Sequence, residues 1–210
     1  YTLNAPGDTK RFDEKDVAVK MRGFLMTFWN SAMLFDAYAV KKMGGASVAR
    51  KTILDKWIWA RTRLCIQNVT EALQVYDITH ASRALEEFLI NDVSQWFLRR
   101  SRSRLQRPQS QEELVSASRV AGEILRDCAI MAAPFVPFLS EAIYQRLRNR
   151  MSLGPQSVHL ADWPQAEELT KNDQTLLRDM VACRAICSEA LRLRQQAGIK
   201  VRQPLASLTI

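Results

Sequence analysis

The chain has little of what tight turns, membrane spans and common catalytic sites require. Its 210 residues include only 7 Gly and 7 Pro, which argues against a turn-rich β-sandwich or barrel. No apolar run approaches the ~20 residues that cross a membrane, and residues 1–11 show no signal-peptide pattern. Neither a glycine-rich phosphate loop nor a Gly-x-Ser-x-Gly elbow occurs. We therefore expect neither a membrane protein nor one of the enzymes built on these motifs.

Cysteine and histidine are also scarce. The two histidines, His80 and His159, lie far in sequence from the cysteines and have no nucleophile near them. A structural zinc site needs four ligands with close pair spacing, and no Cys-x-x-Cys pair is present. We therefore expect no catalytic residue, no metal site and buried free thiols in a reducing compartment such as the cytoplasm. The cysteines are Cys65, Cys128, Cys183 and Cys187.

Apolar residues at helical spacing are abundant in the chain. They make up 47% of it, with five Trp and eight Phe, which is enough for a core. Their spacing predicts six helices, over about 13–42, 52–76, 79–107, 110–133, 137–150 and 172–197. Asp13, Thr79 and Ser110 are the predicted N-caps. The predicted fold is an all-α antiparallel helical bundle over 1–150. Residues 151–210 are predicted to form an extended segment, a long helix and a short extended C-terminal tail.

Positive charge is the second feature, and it is segregated. The formal net charge is +8, but four stretches together carry +18 and the remainder carries −10. Clustered Lys and Arg release counterions when they bind phosphates, so the pattern indicates a polyanion partner. The alternative is that each stretch is a solvated helix end. The four stretches are 41–63, 93–111, 146–150 and 190–210.

The stretch 93–111 contains five arginines and no acidic residue. On a helix, one face would carry Trp96, Arg100, Arg104 and Arg107, and an offset column would carry Arg99 and Arg102. The planar fork of arginine binds phosphates and stacks on bases, and an exposed Trp can stack on an unpaired base. The alternative is that Trp96 lies in the core and the arginines are solvated. The absence of balancing acids weakens this alternative for the arginines.

The same stretch resembles a motif of a known family. The run Trp96-Phe97-Leu98-Arg99-Arg100-Ser101-Arg102 is similar to one in the helical anticodon-binding domain of the class Ia aminoacyl-tRNA synthetases, most closely in the isoleucine-specific members (isoleucyl-tRNA synthetase). The resemblance covers nearly the whole chain, with the further segments 28–31, 54–61, 70–73, 76–79, 84–88, 133–138, 157–164 and 200–205. Ser103 and Leu105 depart from it, since the family usually has an Arg and an aromatic residue there.

The resemblance implies a module that grips the anticodon stem-loop of tRNA-Ile, with arginines on phosphates and aromatic rings on unpaired bases. The implied contacts are Trp96, Arg99, Arg100, Arg102, Arg104 and Arg107, with Arg61, Lys200 and Arg202 as further candidates. The signatures His-x-Gly-His and Lys-Met-Ser-Lys-Ser are absent from this sequence. Catalysis, editing, ATP, Mg²⁺ and any zinc module would therefore belong to the rest of a longer ligase. The first residue, Tyr1, is not Met, and the apolar segment ending at Ile210 looks unfinished, so we expect a piece of a cytoplasmic and monomeric parent.

Two other interpretations stay open. The chain could be the anticodon module of the valine or leucine enzyme, although the valine enzyme lacks the Arg-rich run. Alternatively, it could be a helical protein-interaction domain, which would show an exposed Leu/Met stripe and would not need clustered arginines.

Overall fold

The computed structural model describes residues 13–41, 52–152 and 154–207. Six helices and no strand occur in these ranges, which confirms the predicted all-α bundle. Helix α1 begins as Glu14–Lys20, passes through a π-helical turn at Met21–Leu25 and continues as Met26–Tyr38; α2 is Ile53–Gln74. Helix α3 consists of Ile78–Glu87, a π-helical stretch Phe88–Leu98 and Arg99–Gln106. Helix α4 is Gln111–Ala132, α5 is Pro137–Met151, a 3₁₀ turn is Val158–Leu160, and α6 is Lys171–Gln196.

Polar side chains set the helix starts, and two of the three predicted caps are confirmed. Asp13 and Ser110 each accept a backbone N–H of the first helical turn, at 2.8 and 3.1 Å. Helix α3, however, is capped by Asp77 and not by Thr79. The Asp77 carboxylate accepts the backbone N–H of His80 at 2.9 Å, while Thr79 lies inside the helix and is buried. Asp77, two residues before Thr79, caps the first turn, so the helix begins at Ile78, earlier than predicted.

The core lies among the first five helices. Helix α2 packs against α3 and α4, and α4 packs against α5. In α1 the apolar residues at helical spacing are buried only in the second half of the helix, where Phe28 and Phe35 are at most 1% exposed, whereas Val17 and Met21 are about half exposed. A π-helical turn holds more residues than an α-helical turn, so a stripe at constant spacing changes face across residues 21–25. The largest fully buried side chains are Trp57, Tyr144, Phe28, Phe35, Phe88 and Phe97.

The segment after α5 is fastened to the bundle by hydrogen bonds. The Glu141 carboxylate accepts the backbone N–H of Val158 at 2.8 Å and the hydroxyl of Ser157 at 3.0 Å. The indole N–H of Trp163 donates to the Thr70 hydroxyl at 2.9 Å. Residues 154–168 therefore pack with helices α2 and α5. The first compact unit extends to residue 168.

The second compact unit begins at residue 169 and contains α6 and the turn after it. Thr170 and Asp173 form a reciprocal capping box at its start. After the helix, the backbone N–H of Gln203 donates to the carbonyl of Lys200 at 3.0 Å, and the guanidinium of Arg194 donates to the carbonyls of this turn. Residues 200–203 of the expected extended tail thus form a hydrogen-bonded turn. Within the described parts of the chain, no helix is both long enough and apolar enough to span a bilayer.

Candidate nucleic-acid interface

The arginine-rich end of α3 has an inner and an outer side. Facing inward are Phe97, Leu98, Ser101 and Leu105, each at most 3% exposed. Facing outward are Arg99, Arg100, Arg102, Ser103 and Arg107, all of which are exposed. We call Arg99, Arg100, Arg102 and Arg107 the arginine surface. The apolar residues pack this end of α3 against the bundle, so the surface is carried by a firmly held helix. Leu105, one of the two departures from the family motif, is a core residue.

Trp96 is half-buried and lies beneath Arg100. The guanidinium carbon of Arg100 stands 3.2 Å from the centroid of the indole ring, and Nη1 of the same group points at the Trp96 carbonyl oxygen at 3.5 Å. The two residues are four apart on one helix, a spacing that brings side chains together. A cation over the face of a Trp ring is attracted by the ring's quadrupole. The structure therefore covers the indole face with a guanidinium plane at the edge of the arginine surface.

Arg104 does not belong to the arginine surface. Its Nη1 and Nη2 donate to the two carboxylate oxygens of Asp55 at 2.8 and 3.0 Å. The Asp55 side chain is 0% exposed and that of Arg104 only 12%. Asp55 also completes the capping box of α2 by accepting the backbone N–H of Thr52. The pair ties the end of α3 to the start of α2, and it interrupts the predicted face that joins Trp96 to Arg107.

Arg61 has a similar structural partner. Its Nε and Nη2 both donate to Oδ2 of Asp92, at 2.9 and 2.6 Å, and its guanidinium lies 5.8 Å from the ring centroid of Phe88. The Asp92 side chain is 5% exposed. The charge of Arg61 is thus used to join α2 to α3. For the pair of Arg104 and Asp55 the sequence does contain a signal, since Asp55 is the only acid in the basic stretch 41–63.

The remaining basic stretches divide between paired and exposed groups. In the stretch 146–150, Arg146 and Arg150 both reach Asp36 on α1, at 3.3 and 2.8 Å, so part of that charge is neutralised within the bundle. In the second unit, Lys200 and Arg202 are exposed on the turn after α6. Three basic residues of the stretch 41–63 lie outside the described residues: Lys42, Arg50 and Lys51.

The cysteines offer little reactivity inside the bundle. Burial raises the pKa of the Cys65 thiol to about 12, against a smaller opposing effect of Arg61, and burial also raises the pKa of Cys128. The prediction of buried free thiols is confirmed for these two and is wrong for Cys183, which is exposed. Across residues 13–41, 52–152 and 154–207, no group of three or more His, Cys, Asp or Glu side chains could hold a metal ion.

Comparison with known proteins gives a consistent result. Residues 55–210 match the sequence profile of a family described as the anticodon-binding domain of tRNA ligase. The chain is similar to isoleucine–tRNA ligase of Thermus thermophilus, with 34% identity over 215 residues, and to that of Deinococcus radiodurans, with 36% over 216. It is also similar to that of Clostridium tetani, with 32% identity over 215 residues. Each match covers 100% of this chain but only 19–21% of the relative, so the chain spans about a fifth of their length.

Proposed function

The chain belongs to the family of anticodon-binding domains of tRNA ligases, and on that basis we propose that it recognises the anticodon stem-loop of tRNA-Ile as part of an isoleucine–tRNA ligase. The observation that carries the proposal is the arginine surface, with four exposed guanidinium groups beside a half-buried Trp and no acidic residue between positions 93 and 111. A surface of one sign on a helix held by its inner face suits the phosphates of a folded RNA.

The proposed mechanism separates positioning from reading. Arg99, Arg102 and Arg107 contact backbone phosphates, which fixes the register of the loop without reading its sequence. Contacts to unpaired bases beside Trp96 supply the sequence dependence. Arg104 and Arg61 act through their buried carboxylates, by holding α3 in place against α2.

The second unit contributes further candidate contacts under this proposal. Lys200 and Arg202 are exposed on a turn that the Arg194 guanidinium stabilises by donating to its carbonyls. Cationic side chains on a held turn suit a phosphate chain better than those on a loose one, because less conformational entropy is lost on binding.

The whole ligase would perform the chemistry. In this proposal the parent is a cytoplasmic, monomeric enzyme that uses ATP and Mg²⁺ to join isoleucine to its tRNA. The parent's other parts hold ATP, Mg²⁺ and any zinc, and the present chain supplies RNA recognition alone.

Binding across a salt series tests the proposal. We expect the chain to bind a tRNA-Ile anticodon stem-loop. The logarithm of the association constant should fall linearly with the logarithm of the salt concentration. Each phosphate contact contributes a slope of roughly 0.7 to 0.9. The salt slope should become shallower by the value of about one phosphate contact in each of three variants, Arg99→Ala, Arg102→Ala and Arg107→Ala. The loss of affinity should depend little on the RNA sequence. Fluorescence anisotropy of a labelled stem-loop measures both quantities.

Arg22→Ala is the matched control, because Arg22 is an exposed arginine on α1 outside the arginine surface. Its binding curve should coincide with that of the unchanged chain. A salt-independent affinity, or equal losses for Arg22→Ala and Arg102→Ala, would contradict RNA binding by this surface and favour a protein-interaction domain. Equal affinity for the stem-loops of tRNA-Ile and tRNA-Val would contradict the assignment to tRNA-Ile.

A further inference from the structure

The stack of Arg100 on Trp96 bears on how an unpaired base would be held. The guanidinium carbon lies 3.2 Å from the indole centroid, so the two planar groups are in direct contact. The Nη1 contact with the Trp96 carbonyl keeps the side chain folded back along α3. On this face of the indole, a base that approaches from solvent therefore meets the guanidinium first.

The helix surface around Arg100 is exposed. Arg100 itself is exposed, and so is the short Ser103, three residues further along the same face. Residues three apart are neighbours on a helix surface, so a long side chain at position 103 would crowd the guanidinium.

We infer that the guanidinium of Arg100, and not the indole of Trp96, is the surface on which an unpaired nucleobase of the RNA stacks. This inference rests on the proposed function and names the residue that carries its base contact. The indole supports one face of the guanidinium and the base covers the other, which gives a stack of base, guanidinium and indole. Arginine suits this role because its plane is delocalised and weakly hydrated, whereas a lysine ammonium is a hydrated point charge without a face.

The competing arrangement uses the same two residues differently. Arg100 would leave the ring and bind a phosphate, and the base would stack directly on Trp96. In the stacked arrangement, the contribution of Arg100 to affinity requires its planar guanidinium and a base to stack on it. In the phosphate arrangement, that contribution requires only the positive charge of Arg100 and does not depend on the base. A charge-preserving substitution and a missing base therefore separate the two.

The experiment combines Arg100→Lys and Arg100→Ala with stem-loops that carry one abasic nucleotide at each loop position in turn. On the intact loop we expect both variants to lose roughly tenfold in affinity, the size of one base stack. The salt slope of Arg100→Lys should equal that of the unchanged chain, because the charge is kept. At one abasic position the cost of Arg100→Ala should vanish, since the two changes remove the same contact.

Arg102→Lys and Arg102→Ala are the matched controls at a proposed phosphate contact. Here the Lys variant should lose less affinity than the Ala variant, because it keeps the charge, and the cost of Ala should persist on every abasic loop. The inference is overturned if Arg100 behaves like Arg102, that is, if Arg100→Lys loses clearly less affinity than Arg100→Ala or if Arg100→Ala keeps its cost on all abasic loops. That result leaves the proposed function standing, whereas a chain that binds no stem-loop at all overturns both.

Discussion

Arg100 and Arg104 lie one helical turn apart on α3, yet their environments are opposite. Arg100 is exposed and rests on the indole of Trp96, four residues before it. The side chain of Arg104 is 12% exposed and forms a bidentate ion pair with the fully buried carboxylate of Asp55, which lies 49 residues away in sequence. The comparison shows that an arginine's role in this helix depends on whether another helix brings an acid to it.

The two environments also differ in how much the charge contributes to stability. A buried carboxylate left without its cation is costly, because the low-dielectric interior cannot solvate it. A cation on the surface is solvated whether or not it has a partner, so its contribution to folding is small. Substitutions at paired and exposed arginines should therefore separate the energy of folding from the energy of RNA binding.

Replacement of Arg104 should have the largest effect. Arg104→Leu leaves Asp55 buried and unpaired, and we expect the free energy of unfolding to fall by about 3–5 kcal/mol. Urea denaturation followed by circular dichroism measures the loss. Arg102→Leu, a substitution of the same chemistry on the outer side of α3, should change stability by no more than about 0.5 kcal/mol.

A double substitution keeps this prediction testable if Arg104→Leu fails to fold. Asp55→Asn removes the buried charge, while its amide oxygen can still accept the backbone N–H of Thr52, the N-cap of α2. Asp55→Asn combined with Arg104→Leu should therefore regain part of the lost stability. If Arg104→Leu instead folded as stably as the unchanged chain and lost only RNA affinity, Arg104 would belong to the arginine surface.

Glu141 is an acid held by hydrogen bonds, and its replacement should lower the free energy of unfolding by an intermediate amount. Burial pushes its pKa upward, but hydrogen bonds from Gln145, Val158 and Ser157 outweigh that effect and lower the pKa overall. The folded carboxylate thus has a lower pKa than the unfolded one. Its stabilising contribution is present above the unfolded value, about 4.3, and is lost as the pH falls through the folded value.

We therefore expect Glu141→Gln to cost about 1–3 kcal/mol at pH 7. The gap between the variant and the unchanged chain should narrow below about pH 4. Urea denaturation at pH 7, 5 and 3 measures the gap. Glu87→Gln, at an exposed position on α3, serves as the control and should show no such narrowing. A gap that stays constant from pH 7 to pH 3 would show that the carboxylate's charge is not what holds residues 157–158.

The smallest expected effects on folding belong to the arginine surface itself. Arg99→Ala, Arg102→Ala and Arg107→Ala should each change the free energy of unfolding by no more than about 0.5 kcal/mol, because the side chains are exposed. Thermal unfolding of the three variants beside Arg104→Leu gives the comparison directly. A loss of several kcal/mol at any of the three would place that arginine with Arg104 as a structural residue.

Features that depend on neighbouring residues were predictable. The number and order of the helices result from apolar spacing, and the caps at Asp13 and Ser110 need only a hydrogen bond within the first turn. The cap of α3 was wrong by two residues, because two polar residues competed for the same N–H groups and Asp77 reached them. The preference of Asp and Thr for N-cap positions identifies both residues as candidates but does not decide between them.

The candidate site was predictable only in part. Its location on α3 and its charge could be read from residues 96–107, and four of the five arginines there do face solvent. The π-helical stretch Phe88–Leu98 could not be read from the spacing, and the placement of Arg104 and Arg61 depends on acids from other parts of the chain.

Local sequence is enough to establish a helical bundle with a concentrated run of arginines after Trp96 and Phe97, because helix formation and charge density are local properties. Which of these arginines remain exposed to a partner depends on tertiary contacts. Arg104 and Arg61 face buried carboxylates, and an unpaired charge in the interior is too costly to leave. Arg99, Arg100, Arg102 and Arg107 lie where water already solvates them, so they are the ones left on the surface of the fold.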